Sequence, residues 1–265
     1  MPPALLELYR SYSTQGIRFV GRYSSWQAAA GASTGYDVDT ILERVSAASE
    51  KVKSGEALYE RDSVLFNKVE HTFPLLSLLM RVALEKGGKL TVLDFGGSLG
   101  SSYFQCKNFL PATIDLHWCV VEQEKFVVRG QQKFETEELH FFFSMEECIA
   151  KHQPDVVLFA SVLQYLENAD QIVETALASG AGYIVVDRTP FIELESDWIC
   201  VQHVPPSIYE ASYPCAMLSE SRLNQKLGSH CDLLADFEAL GGKGYIRHGS
   251  QTLPFEYKGM IWRKR

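Results

Sequence analysis

The sequence predicts an α/β fold in which a mostly parallel sheet is covered by helices on both faces. From residue 90 onward, short apolar runs alternate with helical patterns, as in a series of strand–helix–strand units. These runs are apolar along their whole length, which is typical of strands buried on both faces. The last two strand-like runs, 244–248 and 255–262, are joined by a short loop, so we expect the final strand to run antiparallel.

The composition limits the classes of protein to which the chain can belong. Its 265 residues suit one large domain, or one domain with an appendage. Acidic residues outnumber basic ones by 33 to 25 and no Lys/Arg block occurs, so we do not expect non-specific nucleic-acid binding. The sequence contains no apolar run of about 18 residues, so we do not expect a transmembrane helix. The first residues lack the basic and apolar regions of a signal peptide.

The cysteines and histidines predict neither disulfides nor a metal site. Six cysteines lie at scattered positions without a C-x-x-C pair, and no His–Cys spacing matches a metal site. Such cysteines are expected to be reduced and to act as small core residues. This usage favours a cytoplasmic protein.

Residues 1–89 are predicted to form an N-terminal helical extension or lid, in one compact unit with a main domain at 90–265. Apolar residues spaced as one helix face predict a helix over 41–53. A longer apolar pattern predicts a helix over 62–86 that Pro74 breaks or kinks and a Gly-Gly pair ends. The sequence leaves open whether these helices form a lid, a homodimer contact or extra core.

The main domain is predicted to contain five strands before the terminal pair. These strands cover 90–95, 116–122, 139–144, 155–160 and 183–187. Helices are expected between them, including 101–109 and 168–178. An irregular segment opens at the Pro-Pro pair of residues 205 and 206. A helix over 231–240, ended by two glycines, precedes the terminal strands.

A glycine turn follows the first of these strands and marks a candidate ligand site. Asp94 and Phe95 end the strand, and Gly96, Gly97, Ser98 and Gly100 lie in the turn. Ligands of open α/β sheets bind at the carboxyl ends of the strands, and glycines let a ligand approach the main chain. The turn matches neither G-x-G-x-x-G nor a phosphate-binding P-loop. An acidic residue directly before it favours a positively charged ligand over a pyrophosphate.

Glu122 completes the pattern at the end of the second strand. It lies 22 residues after Gly100, and a carboxylate at this place can accept both hydrogen bonds of a ribose diol. The order strand, Asp, glycine turn, helix, strand, Glu is similar to the S-adenosylmethionine site of class I methyltransferases. We therefore expect S-adenosylmethionine as the cofactor.

The run L-D-F-G-G-S-L-G-S-S-Y at 93–103 resembles the signature of a family of bacterial methyltransferases associated with surface-polysaccharide biosynthesis. Further stretches agree with it, at 25–26, 34–37, 59–63, 187–190, 202–206 and 212–214. The resemblance spans roughly residues 18–262. It implies a Rossmann-like class I methyltransferase fold with a seven-stranded, mostly parallel sheet and an antiparallel C-terminal strand. It also implies methyl transfer to a small molecule, such as a sugar or nucleotide-sugar.

The end of the third strand departs from the general class I pattern. That strand often ends in an Asp that binds the adenine amino group, whereas here Ser144 and Met145 follow it. Ser144 is expected to bond the adenine and Met145 to pack on its ring. Ser161, after the fourth strand, is a further candidate at the cofactor edge.

The acceptor is expected to face the residues after the fourth and fifth strands. Gln164 and Tyr165 supply polar groups there, and Arg188 is suited to clamp a phosphate or carboxylate, or else forms a structural salt bridge. The N-terminal loops and the segment after the fifth strand are expected to roof the site. Four residues of these segments are candidate acceptor contacts: Tyr36, Arg61, Tyr209 and Tyr213.

Methyl transfer depends mainly on proximity and alignment, but an oxygen acceptor also benefits from a base. His203 is the candidate base, with His71 second, because imidazole titrates near neutral pH. A purely structural role for either histidine stays open.

Two other functions remain open at this stage. The chain could be a methyltransferase-fold module that binds without turnover. It could also be a nicotinamide-dependent reductase, because Tyr103 and Lys107 match the Y-x-x-x-K pair of short-chain dehydrogenases. That pair begins three residues after the glycine turn, far upstream of its place in those enzymes.

Overall fold

One ten-stranded sheet forms the centre of the protein. A computed structural model describes residues 16–35, 38–61, 64–67, 73–206 and 208–265. The strands within these ranges are β1 (Arg18–Val20), β2 (Tyr59–Arg61), β3 (Val64–Phe66), β4 (Lys89–Phe95), β5 (Asp115–Val121), β6 (Leu139–Phe142), β7 (Val156–Ala160), β8 (Tyr183–Ile192), β9 (Trp198–Val204), β10 (Ala211–Ser219), β11 (Cys231–His248) and β12 (Gln251–Lys264). Among the described strands, β2 and β3 form a separate two-stranded antiparallel sheet.

Helices lie on both faces of this sheet. They are α1 (Trp26–Gly31), α2 (Val38–Lys53), α3 (Phe73–Glu85), α4 (Ser101–Lys107), α5 (Glu124–Lys133), α6 (Met145–His152), α7 (Ala169–Ala178) and α8 (Glu220–Gly228). One apolar core joins the strands to α2, α3, α4 and α5. A second core joins the opposite face to α6, α7 and α8. Adjacent strand residues such as Val92 and Leu93 are therefore both fully buried, on opposite faces.

The strand order is β10-β9-β1-β11-β12-β8-β7-β4-β5-β6. Strands β6, β5, β4, β7 and β8 are parallel, and β12 runs antiparallel to both β8 and β11. The predicted antiparallel final strand is therefore confirmed. The sheet is mixed and has ten strands, not seven, because β1, β9 and β10 extend it beyond β11. A third apolar cluster, which includes Phe19, Cys200 and Ile246, packs among these added strands.

The predicted helix over 62–86 is only partly present. Val64–Phe66 form strand β3, and the helix begins at Phe73. Pro74 is the second residue of the described helix, where a missing N–H is tolerated. The end of the helix agrees with the sequence, because Gly88 N donates to the Ala83 carbonyl at 2.8 Å.

The prediction of a helix over 231–240 is wrong. These residues belong to β11, which pairs with β12 along most of its length. Tertiary pairing overrides the local helical pattern here, since the long hairpin supplies the backbone hydrogen bonds. The pairing shifts register between Glu238 and Lys243, and Gly241 and Gly242 adopt positive φ values of 122° and 62° at this shift. The two glycines interpreted as a helix stop therefore form a bulge.

The segment after β8 is more regular than the sequence indicated. It contains β9, β10 and α8 within the residues that the structure describes. Pro214 lies in the part of β10 that pairs with β9, before the end of this strand pairs with β8, and a missing N–H is tolerated at such an edge position. Strand β1, which lies within the predicted N-terminal extension, pairs with β9 and β11 of the main sheet.

Two features are absent from the part of the chain that the structure describes. No described helix has the length and apolarity needed to cross a membrane. No group of three or more His, Cys, Asp or Glu in these ranges is placed to hold a metal ion. All six cysteines are buried free thiols, as expected for core residues.

Three histidine rings stack at the edge of the sheet near β6. His117, His140 and His152 have ring centroids between 4.9 and 5.6 Å apart. Burial, followed by the neighbouring His117, lowers the pKa of His140; burial, followed by His140 and His117, lowers the pKa of His152. Asp115 and Glu135 are the nearest acids, at 3.6 Å from His117 and 4.0 Å from His140.

This cluster predicts a loss of stability in mild acid. The folded state holds His140 and His152 neutral, while the unfolded chain takes up their protons below about pH 6.5. The contribution of this cluster to the free energy of unfolding should therefore decrease as the pH falls from 7 to 5. Urea unfolding should show that the stability of wild type relative to His140→Gln is lower at pH 5 than at pH 7. The exposed His230→Gln variant should keep the wild-type slope, and an unchanged slope in His140→Gln would contradict the assignment.

Candidate functional site

A large cavity opens at the carboxyl ends of the central strands. Its volume is about 1630 Å³, and its wall includes residues that directly follow β4, β5, β6 and β7. The strand order reverses between β4 and β7, which is where ligands of open α/β sheets bind. Single-ligand pockets typically measure about 300–1,000 Å³. The cavity is thus large enough for two small ligands side by side.

The predicted glycine turn forms one side of this cavity with bare main chain. A Cβ on Gly96 would lie 2.4 Å from Val162 Cγ2, and a Cβ on Gly97 would lie 2.6 Å from the Asp94 carboxyl group. Gly96 also has a φ of 71°. Glycine is therefore required at both positions. Gly96, Gly97 and Ser98 line the cavity, whereas Gly100 precedes α4 and is not on the described wall.

Asp94 lies beneath the turn and not on the cavity wall. It is fully buried, and Trp118 Nε1 donates a 3.0 Å hydrogen bond to Oδ2, while Oδ1 has no partner among the described residues. Burial raises the pKa of this carboxyl group to about 7, against the lowering effects of Trp118 and Arg188. Asp94 therefore supports the turn from below.

Glu122 lies on the cavity wall, as the sequence predicted. Its Oε2 accepts a 2.7 Å hydrogen bond from the Gln123 N–H. Burial raises the pKa of Glu122, while the backbone N–H groups of Gln123 and Ser98 lower it. The Ser98 contact ties this carboxylate to the glycine turn. The two predicted cofactor elements are therefore adjacent in the folded chain.

The residues after β6 line the next part of the wall. Ser144 caps α6, because its Oγ accepts a 3.1 Å hydrogen bond from the Glu147 N–H. Met145 is buried, and Phe143 is half exposed; both line the cavity. The sequence identified Ser144 and Met145 but missed Phe143, whose apolar character was attributed to the strand.

Three non-glycine residues with left-handed backbones lie on the cavity wall. They are Ser98 (φ 56°), Ser161 (φ 60°) and Arg188 (φ 50°), which follow or interrupt the neighbouring strands β4, β7 and β8. Such conformations cost roughly 1 kcal/mol or more each and concentrate at functional sites. Ser161 Oγ also accepts a 3.0 Å hydrogen bond from Gln164 Nε2. Gln164 itself is buried behind the wall and is not in contact with the cavity.

A chain of polar side chains crosses the far side of the cavity. Tyr165 donates to Gln202 Oε1 at 3.0 Å, Gln202 Nε2 donates to Tyr213 Oη at 3.2 Å, and Tyr213 Oη lies 3.3 Å from Tyr209 Oη. All four line the cavity. The three tyrosines were predicted from sequence, whereas Gln202 was missed because β9 was not recognised as a strand.

The predicted base His203 does not reach the cavity. Its β9 neighbours Gln202 and Val204 line the wall, and alternation along the strand places His203 on the opposite face. There, burial and then the positive charges of Arg18 and Arg247 lower its pKa. No histidine is among the described residues of the wall.

Three other candidates cannot be placed at the site. Tyr36 and His71 lie outside the described residues. Arg61 belongs to β2, but the described part of it is the backbone alone. Its neighbour Glu60 does line the cavity and is almost fully buried, with Ser101 Oγ donating to its Oε1. The resemblance at 59–63 was the only signal for Glu60.

The Y-x-x-x-K match is not part of the site. Tyr103 is buried, its Oη donates to Glu138 Oε2 at 2.7 Å, and Lys107 Nζ donates to Tyr103 Oη at 2.7 Å. Neither side chain lines the cavity. This pair therefore anchors α4 to the chain before β6, and it provides no support for a reductase.

No protein-family model matches the chain, and no curated protein matches it. Among solved structures, the N-terminal domain of EvdMO1 with S-adenosylhomocysteine and D-fucose is 15% identical, with 87% of this chain and 98% of that chain covered and a TM-score of 0.46. The Burkholderia thailandensis 1,6-didemethyltoxoflavin-N1-methyltransferase, with bound 1,6-didemethyltoxoflavin and S-adenosylhomocysteine, is also 15% identical, with 85% of this chain and 88% of that chain covered and a TM-score of 0.41.

A third similar structure is magnesium protoporphyrin IX methyltransferase from Synechocystis with bound S-adenosylhomocysteine. It is 12% identical, with 86% of this chain and 100% of that chain covered and a TM-score of 0.42. All three similar proteins were thus crystallised with S-adenosylhomocysteine.

The buried Asp94 makes stability sensitive to pH near neutrality. Its folded pKa of about 7 lies above the usual 3.8, so its ionisation opposes folding increasingly as the pH rises from about 4 to 7. Asp94→Asn keeps an acceptor for Trp118 and removes the charge. Thermal unfolding should show this variant to be more stable than wild type at pH 8, with a smaller difference at pH 5. Equal differences at both pH values would refute the buried charge.

The strained turn residue Ser98 should be more stable as glycine. Ser98→Gly relieves its positive φ and should raise the free energy of unfolding by up to about 1 kcal/mol, measured in urea. Gln153→Gly is the matched control, because Gln153 has a φ of 45° at the end of α6, away from the cavity wall. Both variants should gain stability, but only Ser98→Gly should change affinity for S-adenosylhomocysteine. A loss of stability in Ser98→Gly would contradict the strain argument.

Proposed function

We propose that the chain is an S-adenosylmethionine-dependent methyltransferase that acts on a small molecule. The observation that carries this proposal is the glycine turn of β4 and Glu122 of β5 meeting at one cavity, in a sheet with antiparallel β12 between β8 and β11. That arrangement agrees with the class I methyltransferase fold implied by the sequence resemblance. A dinucleotide-binding sheet has the strand order 3-2-1-4-5-6. It has no counterpart of the antiparallel strand β12, which lies between β8 and β11 in this sheet.

The wall residues fit the parts of S-adenosylmethionine. The bare main chain at Gly96 and Gly97 would hold the methionine portion, since no side chain fits there. Glu122 would accept the hydrogen bonds of the ribose diol. Met145 and Phe143 would pack on the adenine. Ser144 is already occupied as a helix cap and would contribute through its position more than through a strong adenine bond.

The bound cofactor would supply an electrophilic sulfonium methyl group. The residues of this chain would then align the acceptor with it, and alignment provides most of the acceleration in such a displacement. Ser161 lies beside the glycine turn, and Tyr165, Tyr209 and Tyr213 offer ring faces and hydroxyl groups to an acceptor. The wall carboxylate Glu60 replaces His203 as the candidate to take a proton from an oxygen acceptor.

The amphipathic tyrosines suit a sugar or nucleotide-sugar, because their rings can stack on a polar ring while their hydroxyl groups donate or accept. The resemblance at 93–103 connects such an acceptor to surface-polysaccharide biosynthesis. The free, buried cysteines suit action in the cytoplasm.

Calorimetric titration of the purified protein tests the cofactor directly. S-adenosylmethionine and S-adenosylhomocysteine should bind with micromolar affinity, and NADH should not bind. Absence of binding by either sulfur compound would refute the proposal. Cofactor binding without turnover across a panel of nucleotide-sugars would favour a binding module over an enzyme. NADH binding would mean that the glycine turn has been misassigned.

The ribose contact is tested by Glu122→Ala. Loss of a charged hydrogen-bond acceptor should weaken S-adenosylhomocysteine binding by about tenfold or more, since such bonds contribute about 1.5–3 kcal/mol. Glu124→Ala is the matched control, because Glu124 is exposed in the first turn of α5 and is not on the cavity wall. Equal affinities of the two variants would remove Glu122 from the cofactor site.

A further inference from the structure

Arg188 occupies a bulge that turns β8 toward the cavity. Val186 pairs with Met260 and Thr189 pairs with Lys258, so Asp187 and Arg188 together oppose a single β12 residue. Bulges of this kind re-aim side chains and are frequent beside active sites. Arg188 also has a left-handed φ of 50°, which an Arg adopts only where the surrounding structure enforces it.

The Arg188 side chain is only partly satisfied inside the protein. Its Nε is buried and has no hydrogen-bond partner among the described residues. An unsatisfied charged donor costs more free energy than an unsatisfied neutral one. A ligand that accepts a hydrogen bond from this guanidinium would remove that cost. Arg188 lines the main cavity, and this places its guanidinium within reach of an acceptor molecule.

Each of the three acids near Arg188 accepts a hydrogen bond, while Asp94 Oδ1 and Asp187 Oδ2 have no partner among the described residues. Asp187 Oδ1 accepts a 2.9 Å hydrogen bond from the Arg188 backbone N–H, and Asp94 Oδ2 accepts from Trp118. Glu60 accepts from Ser101. Burial raises the pKa of both Asp94 and Asp187, and the positive charge of Arg188 acts in the opposite direction on each. None of the three forms an ion pair with Arg188 within the described part of the chain.

The distribution of charge on the wall also singles out Arg188. Arg188 and Lys243 are the two Lys or Arg side chains among the described wall residues. Lys243 is exposed at the β11 bulge, whereas Arg188, in the bulge of β8, is partly buried. A second, small cavity of about 20 Å³ is lined by Arg188, Glu60, Ser102 and Gln105 and has room for about one water molecule.

We propose that Arg188 binds an oxyanion, a carboxylate or phosphate group, that the acceptor carries away from the atom to be methylated. This inference rests on the proposed function and names the class of its substrate. A guanidinium presents parallel N–H groups that match an oxyanion in bidentate fashion. The Tyr165–Gln202–Tyr213 chain on the same cavity wall would contact the uncharged part of the acceptor.

Three sugars that differ in charge test the proposal. The protein is saturated with S-adenosylhomocysteine and titrated by calorimetry with D-glucose 1-phosphate, D-glucuronate or D-glucose. At least one anionic sugar should bind about tenfold or more tightly than glucose. The identity of the preferred sugar distinguishes phosphate from carboxylate. Equal binding of all three sugars, or binding of none, overturns the proposal.

Variants then locate the preference. Arg188→Gln should abolish the discrimination against glucose and keep S-adenosylhomocysteine binding, which also reports that the variant is folded. Arg188→Lys keeps the charge but loses the bidentate geometry, so it should retain part of the preference. Lys89→Gln removes an equal charge at the amino end of β4 and should behave like wild type.

The remaining outcomes distinguish a misplaced anion site from a wrong proposed function. If Lys243→Gln removes the preference while Arg188→Gln keeps it, the anion site is misplaced and the proposal is wrong. If Arg188→Gln loses S-adenosylhomocysteine binding while Arg188→Lys restores it, Arg188 belongs to the cofactor site. If the wild-type protein itself fails to bind S-adenosylhomocysteine, the proposed function fails before the acceptor is considered.

Discussion

The site depends on one steric constraint, the absence of room for side chains at the turn between β4 and α4. A Cβ on Gly96 would collide with Val162, and one on Gly97 would collide with Asp94. The turn is therefore packed against β4 and against the segment after β7 at the same time. Because this packing leaves main chain exposed at the strand ends, a ligand can approach the backbone at the point where strand order reverses.

Buried charge and backbone strain collect around this turn. Burial raises the pKa of Asp94 to about 7. Ser98, Ser161 and Arg188 have left-handed backbones at or after adjacent strands. Each feature reduces stability by itself. The sheet tolerates them because apolar cores on both of its faces stabilise the strands that carry them. We interpret this concentration of unfavourable local features as the signature of a binding site prepared in advance.

The two halves of the cavity come from different parts of the chain. The proposed cofactor half is built by the turns after β4, β5 and β6. The proposed acceptor half uses Gln202 of β9, Tyr213 of β10 and the bulge of β11. Strands β1, β9 and β10 lie beyond the seven strands that the sequence implied, so these additions are where we expect acceptor specificity to reside.

Local signals in the sequence determined the parallel strands, the glycine turn and the position of Glu122, because continuous apolar runs and glycines report burial and close approach directly. They also determined the antiparallel final strand through the short loop before it. Only the tertiary structure decided that 231–240 pairs as a strand, that His203 faces away from the cavity and that Asp94 lies beneath the turn. Each of these depends on which residues become neighbours across the sheet: strand pairing overrides a helical pattern, a one-residue alternation reverses the direction of a side chain, and depth below a turn has no counterpart in residue order.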